Sequence, residues 1–192
     1  MVMELAELYF KSDNEWREWL HINHDSDNGI YLIFYKVDHK NESMRWEEAV
    51  RVALCYGWID STVKSLGDGK RRQYFCKRNP KSVWSALNKR HIKDLLAEDL
   101  MHPKGLEIIK TGKKNGSWTA LDAVEKGIIP EALQIAFNKN PKALENYNNF
   151  APSYKKHYLY WLHSAKREAT KQKRIAEIIK RCDANIKSRD TW

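Results

Sequence analysis

Six residues between positions 58 and 88 have side chains of the kinds that hold a small ligand. They are Trp58, Asp60, Arg78, Trp84, Ser85 and Asn88. Trp58 and Asp60 are two positions apart and therefore share one face of a strand, while Arg78 ends the next strand. The other three lie around the start of the following helix. The pattern predicts that the six meet at one end of a sheet, and one hypothesis is an enzyme or small-ligand pocket with Asp60 as acid or base.

A structural role for the same residues is the competing interpretation. In it, Asp60 pairs with Arg78 and the two tryptophans fill the core. No histidine or second carboxylate lies near enough in sequence to complete a hydrolytic set, and the chain has no G-x-S-x-G, Walker or dinucleotide-binding motif. We therefore expect a protein that binds rather than catalyses, and we expect no cofactor.

A metal site is also disfavoured by the sequence. His21 and His24 form an H-x-x-H pair beside Asp25 and Asp27, but no third ligand follows at a suitable spacing. Gly29 falls where an EF-hand loop requires a ligand. The three cysteines lack the C-x-x-C spacing of zinc sites. We expect this segment to be a turn.

A second set of candidate residues is basic and lies near the C-terminus. Lys-Arg doublets recur every seven residues, and Lys187 completes the series. If one helix spans them, they form a slowly drifting stripe, because seven residues fall about 20° short of two turns. The candidate anion-binding residues are Lys166, Arg167, Thr170, Lys173, Arg174, Lys180 and Arg181. The alternative interpretation is a solvated face of a surface helix.

The charge distribution favours an anionic partner for this end of the chain. Residues 1–78 carry a net charge of −1 and residues 79–192 a net charge of +10, which together give the +9 of the 192-residue chain. Such asymmetry is typical of proteins that bind nucleic acid or an anionic surface. The basic stripe has no interleaved aromatic residues, which argues against stacking of single-stranded bases on it.

The stretch from Ala49 to Asn88 contains the signals that organise the fold. Apolar residues at helical spacing predict a helix that begins near Trp46, with Ser43 as its N-cap, and ends at Gly57. A hairpin follows, formed by strands 58–66 and 73–78 around a Gly-Asp-Gly turn. Ser82 is the predicted N-cap of the next helix.

The rest of the chain predicts an α+β fold with a helical C-terminal half. Residues 4–20 predict a short amphipathic lead-in, with Trp16, Trp19 and Leu20 at helical spacing and Asp13 or Asn14 as a cap. Residues 30–37 predict a central strand that is apolar on both faces and covered on both sides. We expect a small mixed or antiparallel sheet of about three strands. The predicted organisation is an α+β core over residues 1–100 and a helical region over residues 101–192, together forming one compact unit.

Several short motifs carry a family resemblance. They are ALCYGWIDS at 53–61, F-x-x-R from Phe75, S-x-W-S-x-x-N from Ser82, L-M-x-P-x-G from Leu100, K-K-N-G-x-W from Lys113 and A-K-R-E-x-T from Ala165. With these motifs the chain resembles the YdeI or OmpD-associated family, also called the bacteriocin-protection or OmdA family. The resemblance extends from Leu8 to the basic tail.

The resemblance implies a small bacterial α+β protein connected with resistance to bacteriocins or cationic peptides. It implies no established reaction and no catalytic residues, which favours a non-catalytic binding or stress-protection role. The sequence has no apolar run long enough to span a membrane, and two glutamates lie in residues 1–10, so we expect a cytoplasmic protein. A basic protein is a poor trap for a cationic bacteriocin, because like charges repel across an interface.

Overall fold

A computed structural model describes residues 5–188 of the chain. The fold is α+β, with a mixed sheet followed by helices, as the sequence predicts. The residues group into two compact units, one ending at Thr119 and the other beginning at Ala120. Among the described residues, no helix is both long and apolar enough to cross a membrane.

The first unit contains a four-stranded sheet in the order β1-β2-β4-β3. The strands are β1 Glu7–Tyr9, β2 Gly29–Tyr35, β3 Trp58–Gly67 and β4 Lys70–Lys77. β1 pairs with β2 in parallel, whereas β4 lies antiparallel between β2 and β3. The sequence predicts about three strands and does not identify β1. This strand is missed because residues 7–9 become extended only by pairing with β2.

The β3–β4 hairpin has the predicted ladder and turn. Gly67, Asp68 and Gly69 all have positive φ angles, of 81°, 46° and 70°. Two of the three are glycines, which adopt this backbone region without steric cost. β3 contains an irregularity between Asp60 and Val63, after which the pairing resumes with Val63 opposite Gln73.

Four helices complete the first unit: α1 Asp13–Asn23, α2 Trp46–Cys55, α3 Ala86–Ala97 and α4 Pro103–Lys114. Their N-caps differ from the predicted ones. Ser12 caps α1 in place of Asp13 or Asn14, and Arg45 rather than Ser43 is the N-cap of α2.

The N-cap of α3 is Ser85 and not Ser82. The backbone N–H of Trp84 donates to the carbonyl of Ser117, which holds the chain extended up to Ser85. The Ser85 hydroxyl then accepts from the N–H of Asn88 at 3.2 Å. Ser82 lies in a turn before this segment, where its own N–H donates to Asn79.

The core of the first unit lies between α1, α2 and one face of the sheet. Trp16, Trp58 and Phe75 are fully buried in it, and Ala49 and Ala53 supply the α2 side. The indole N–H of Trp16 donates to the carbonyl of Ala49 at 3.1 Å, so the buried ring keeps a hydrogen bond. The predicted apolar stripe of α2 is therefore the face that packs on the sheet.

The second unit consists of short helices: α5 Asp122–Glu125, α6 Glu131–Asn138, α7 Pro141–Asn149, α8 Pro152–His163 and α9 Glu168–Asp183. Phe137, Tyr147, Tyr158 and Ile178 are buried at its centre. Because α9 begins at Glu168, the doublet Lys166-Arg167 precedes the helix. One helix therefore does not span all the basic doublets, which was the condition for a continuous stripe.

Candidate functional site

Arg78 and Trp84 are two predicted site residues whose side chains stack on one another. The guanidinium carbon of Arg78 lies 3.7 Å from the centroid of the Trp84 ring, and Arg78 is only 4% exposed. One Arg78 Nη donates to the carbonyl of Val83 at 2.6 Å, whereas its buried Nε has no hydrogen-bond partner in the described part of the chain. Burial lowers the pKa of Arg78 to about 10, against a smaller opposing effect of the Asp60 carboxylate.

Asp60 is held by neutral donors and does not pair with Arg78 as the structural interpretation expects. Its carboxylate accepts from the indole N–H of Trp46 at 2.9 Å and from the side-chain amide of Gln73 at 2.5 Å. Gln73 is buried, and its Oε1 has no partner among the described residues. The carboxylate therefore ties the start of α2 to β3 and β4.

The remaining three candidates lie in structural positions. Trp58 is fully buried, and its indole N–H donates to the carbonyl of His24 at 3.1 Å. Ser85 caps α3, and Asn88 supplies the N–H that this cap accepts. These contacts occupy the indole N–H of Trp58 and the hydroxyl of Ser85.

An open groove, which no sequence pattern predicted, lies at the far end of the sheet beside the turn between β3 and β4. Its volume is about 790 Å³, and its lining includes Phe34, Val37 and Val63 together with the cations Lys36, Arg45, Lys70 and Arg71. Asp60 is not among the lining residues. The Arg71 guanidinium lies 5.2 Å from the centroid of the Phe34 ring, so a cation forms part of the groove wall.

The H-x-x-H segment meets a third histidine from the start of α4. The His24 and His102 rings are 4.7 Å apart, and Tyr56 stacks on His102 at 4.9 Å. The Nδ1 of His24 is 2.8 Å from the carbonyl of Leu20, and His102 is the N-cap of α4. Within residues 5–188 no group of three His, Cys, Asp or Glu side chains is arranged to hold a metal ion. Sequence reasoning missed this cluster because His102 is distant in the chain.

The basic candidates near the C-terminus divide into two sets. Lys166, Arg167, Lys173 and Lys180, named here the basic edge, are exposed, and their side chains make no hydrogen bond or ion pair with other described residues. Thr170 lies in the first turn of α9 and is half-buried.

Arg174 and Arg181 differ from the basic edge because both are half-buried and engaged. Arg174 donates to the carbonyl of Trp161 and, at 2.8 Å, to the hydroxyl of Ser164, and it lies over the Trp161 ring. Arg181 pairs with Glu177 at 2.5 Å. These contacts set Arg174 and Arg181 apart from the basic edge as candidates for binding an anion.

Two family models match separate parts of the chain. Residues 8–108 match a domain of unknown function (DUF8412), and residues 126–185 match OmdA, described as bacteriocin-protection, YdeI or OmpD-associated. No curated protein and no solved structure matches the chain. The OmdA match agrees with the resemblance noted in the sequence, although most of the motifs behind that resemblance lie in the other matched segment. The chain thus belongs to the DUF8412 family, and its second unit carries the match to the OmdA bacteriocin-protection family.

Proposed function

We propose that this protein is a cytoplasmic, non-catalytic stress-protection factor of the bacteriocin-protection type that binds nucleic acid through the basic edge of its second unit. The observation that carries the proposal is the set of four exposed cations of the basic edge, which have no partners among the described residues. All four lie within the segment that matches the OmdA model.

The charges of the basic edge suit phosphate better than a cationic peptide. Residues 155–189 carry eleven Lys and Arg against three acids, a net charge of +8. A cationic bacteriocin would be repelled by this charge, whereas a phosphate backbone is attracted and releases its condensed counterions on binding. Protection would then act on an anionic component of the cell.

A binding role also agrees with the geometry around Asp60. Its carboxylate is occupied by the N–H groups of Trp46 and Gln73, and the described groove lies elsewhere. A general acid or base must reach the proton that it transfers. The small-ligand alternative is supported better at the groove than at the six residues singled out from the sequence.

The test is a titration of a random-sequence DNA duplex at several salt concentrations, followed by fluorescence anisotropy. Four cations that each neutralise one phosphate give a slope of log K against log salt of about −3.6. We expect weak to moderate affinity, little dependence on sequence, and a steep fall of affinity with salt.

Two matched variants each lose four positive charges, at different positions in the chain. The test variant is K166Q/R167Q/K173Q/K180Q, and the control is K93Q/K110Q/K126Q/K139Q, whose four lysines are also exposed. The test variant should bring the slope close to zero while the control retains most of it. Equal slopes for the two variants would mean that only overall charge matters and would reject the basic edge as the site.

A parallel titration with vesicles separates nucleic acid from membranes. Vesicles that contain anionic phospholipid carry a negative surface which attracts basic segments. Binding to these vesicles without binding to DNA or RNA would contradict the proposal, as would the absence of DNA and RNA binding at low salt.

A further inference from the structure

One face of the sheet in the first unit lies outside its core. Side chains alternate along a strand, and directly opposed residues of paired strands share a face. The register places Tyr31 opposite Tyr74, Ile33 opposite Arg72, and Tyr35 opposite Lys70. The core instead contains their neighbours Ile30, Leu32, Phe34 and Phe75. We name Tyr31, Ile33, Tyr35, Arg72 and Tyr74 the open face.

The residues of the open face are separate from the packing that holds the unit together. Ile33 is buried, but neither it nor the three tyrosines belongs to the core cluster or to the partly buried residues packed against it. Tyr31, Tyr35 and Tyr74 are each half-buried. This side of β2 is therefore covered only in part, with Ile33 buried and half-buried tyrosines supplying the rest of the apolar surface.

Tyr31 and Tyr74 form an aromatic pair at the centre of the open face. Their ring centroids are 5.3 Å apart. A Cβ added at Gly29 would lie 2.6 Å from Tyr74 Cζ and 2.8 Å from Tyr74 Cε2. The end of the Tyr74 ring therefore lies over Gly29 along the sheet, whereas strand side chains usually stand perpendicular to it. Only glycine at position 29 leaves room for this arrangement.

Cations accompany the aromatic pair. The Arg72 guanidinium lies 4.4 Å from the centroid of the Tyr31 ring and is paired with Glu7 of β1. Lys64 of β3 is opposite Arg72 and exposed, and Lys70 is opposite Tyr35. These three cations and one acid give this side of the sheet a net charge of +2.

We propose that the open face binds single-stranded nucleic acid by stacking bases on Tyr31, Tyr74 and the Arg72 guanidinium, with Lys64 and Lys70 contacting the phosphates. Aromatic rings and guanidinium planes stack on any base, and lysines beside them follow the backbone. The inference adds a second site to the nucleic-acid binding proposed above and depends on different residues in a different unit.

The dimensions of the open face suit a short segment of strand. Tyr31 and Tyr35 of β2 are four residues apart, a span of about 13 Å at about 3.3 Å per residue. A duplex buries its base faces in its own stack, so it cannot use the tyrosines. Binding at the open face therefore favours a single strand over a duplex of equal length, whereas the basic edge favours the duplex, whose phosphates are about twice as dense along its axis.

The experiment compares an eight-nucleotide oligothymidylate with a duplex of the same length, each labelled with fluorescein, at about 50 mM salt. The test variant is Y31L/Y74L, and the matched control is Y160L, a tyrosine of the second unit that is 45% exposed. Stacking contributes about 1–3 kcal/mol per base, so Y31L/Y74L should weaken octamer binding by at least tenfold. The same variant should leave duplex binding unchanged, and Y160L should leave both unchanged.

The two proposed sites are distinguished by their salt dependence and their variants. Two phosphate contacts on a single strand give a slope of about −1.4, which K64Q/K70Q should bring close to zero. The basic-edge variant should not bind the duplex. Adding Y31L/Y74L to the basic-edge variant should still weaken its binding of the octamer. Each proposed site can therefore be rejected independently of the other.

Photocrosslinking of the wild-type chain keeps the test decisive if Y31L/Y74L does not fold. An octamer containing 5-iodouracil should give adducts at Tyr31 or Tyr74 by peptide mass spectrometry. Adducts confined to the second unit would overturn the proposal, as would wild-type octamer affinity in a folded Y31L/Y74L protein. A dimer that Y31L/Y74L dissociates, together with no octamer binding, would assign the open face to a second copy of the chain and overturn it as well.

Discussion

Arg78 is a buried cation that lies over an aromatic ring. It gains a cation–π contact with Trp84 and a hydrogen bond to Val83, but it loses hydration and leaves its Nε without a partner among the described residues. The same burial lowers its pKa to about 10. The side chain thus fills space at a substantial electrostatic cost.

The first prediction separates the packing of Arg78 from its charge. Arg78→Met keeps most of the volume against Trp84 and removes the desolvation cost, so its free energy of unfolding should stay within about 1 kcal/mol of wild type. Arg78→Ala leaves a cavity and should lose about 2–4 kcal/mol. Urea denaturation measures both values. A loss in Arg78→Met as large as in Arg78→Ala would show that the charge itself stabilises the fold.

The histidine cluster predicts a dependence of stability on pH. Burial, and then the neighbouring His24 and His21, lower the pKa of His102, with Asp25 acting weakly in the opposite direction. The unfolded chain, with a histidine pKa of about 6.5, binds the proton more readily than the folded chain does. The free energy of unfolding should therefore be greatest above pH 6.5 and fall as the pH is lowered through that value.

Replacement of His102 by asparagine tests this second prediction. Asparagine is a favoured N-cap and can accept from the N–H of Lys104 as the His102 ring does. His102→Asn should make the acid-side loss of stability shallower, and urea titrations between pH 5 and 8 measure it. Part of the dependence should remain, because burial also lowers the pKa of His91. An unchanged pH profile would contradict the role of His102.

At the scale of elements, Gly105 allows α4 to pack closely against the end of α2. A Cβ added at Gly105 would collide with the carbonyl oxygen of Cys55 and lie 2.8 Å from the carbonyl oxygen of Leu54. Both are backbone atoms at the end of α2 and cannot rotate away. The N–H of His102 donates to the same Cys55 carbonyl at 3.2 Å, so the two helices meet backbone to backbone.

The third prediction is that Gly105→Ala lowers the free energy of unfolding by about 2–3 kcal/mol, because α4 must move away from α2. Leu106→Ala is the control on the same helix, since Leu106 is 43% exposed, and it should change stability by no more than about 0.5 kcal/mol. Chemical denaturation measures both variants. Equal stability of the two variants would show that the junction accommodates a methyl group.

Neighbouring residues of α9 supply the fourth prediction. Arg174 binds the end of α8 through Trp161 and Ser164, whereas Lys173 is exposed. Arg174→Ala should lose about 1–3 kcal/mol of stability, and Lys173→Ala should stay within about 0.5 kcal/mol. In contrast, Lys173→Ala should weaken DNA binding more than Arg174→Ala does. The opposite order in thermal or urea denaturation would place Lys173 in the packing and Arg174 at the surface.

The sequence predicted elements where local signals suffice and failed where distant segments decide. The hairpin follows from its Gly-Asp-Gly turn, and α2 follows from its apolar stripe. β1 was missed because its extended form depends on pairing with Tyr31, Leu32 and Ile33. Ser85 replaced Ser82 as a cap because Ser117, more than thirty residues away, holds Trp84.

The same limit applies to the candidate sites. Heptad spacing identified the basic doublets, but only the fold shows that Arg174 and Arg181 are engaged while Lys173 and Lys180 remain free on the described surface. The open face was hidden because tyrosine at alternate positions of β2 resembles an apolar strand covered on both sides.

At the scale of the whole molecule, the family models and the contacts divide the chain consistently. The DUF8412 match ends at residue 108 and the OmdA match begins at residue 126, while the two compact units meet in sequence between Thr119 and Ala120. The core cluster built around Trp16 and Phe75 contains residues of the first unit only. Leu133, Phe137, Tyr147, Tyr158 and Ile178 form the buried interior of the second.

The fifth prediction is that residues 1–119 and residues 120–192 fold as separate fragments. Each has its own buried aromatic residues, and units of this size bury enough surface for marginal to moderate stability. The circular dichroism spectra of the two fragments should add to that of the full chain, and each should melt cooperatively. The shorter fragment should be the less stable because a smaller fraction of its surface is buried.

The two fragments should also divide the binding of nucleic acid. The shorter fragment should bind the duplex, and the longer fragment should bind the octamer. A fragment without cooperative melting would mean that its fold depends on the rest of the chain, even though each family model matches within one unit.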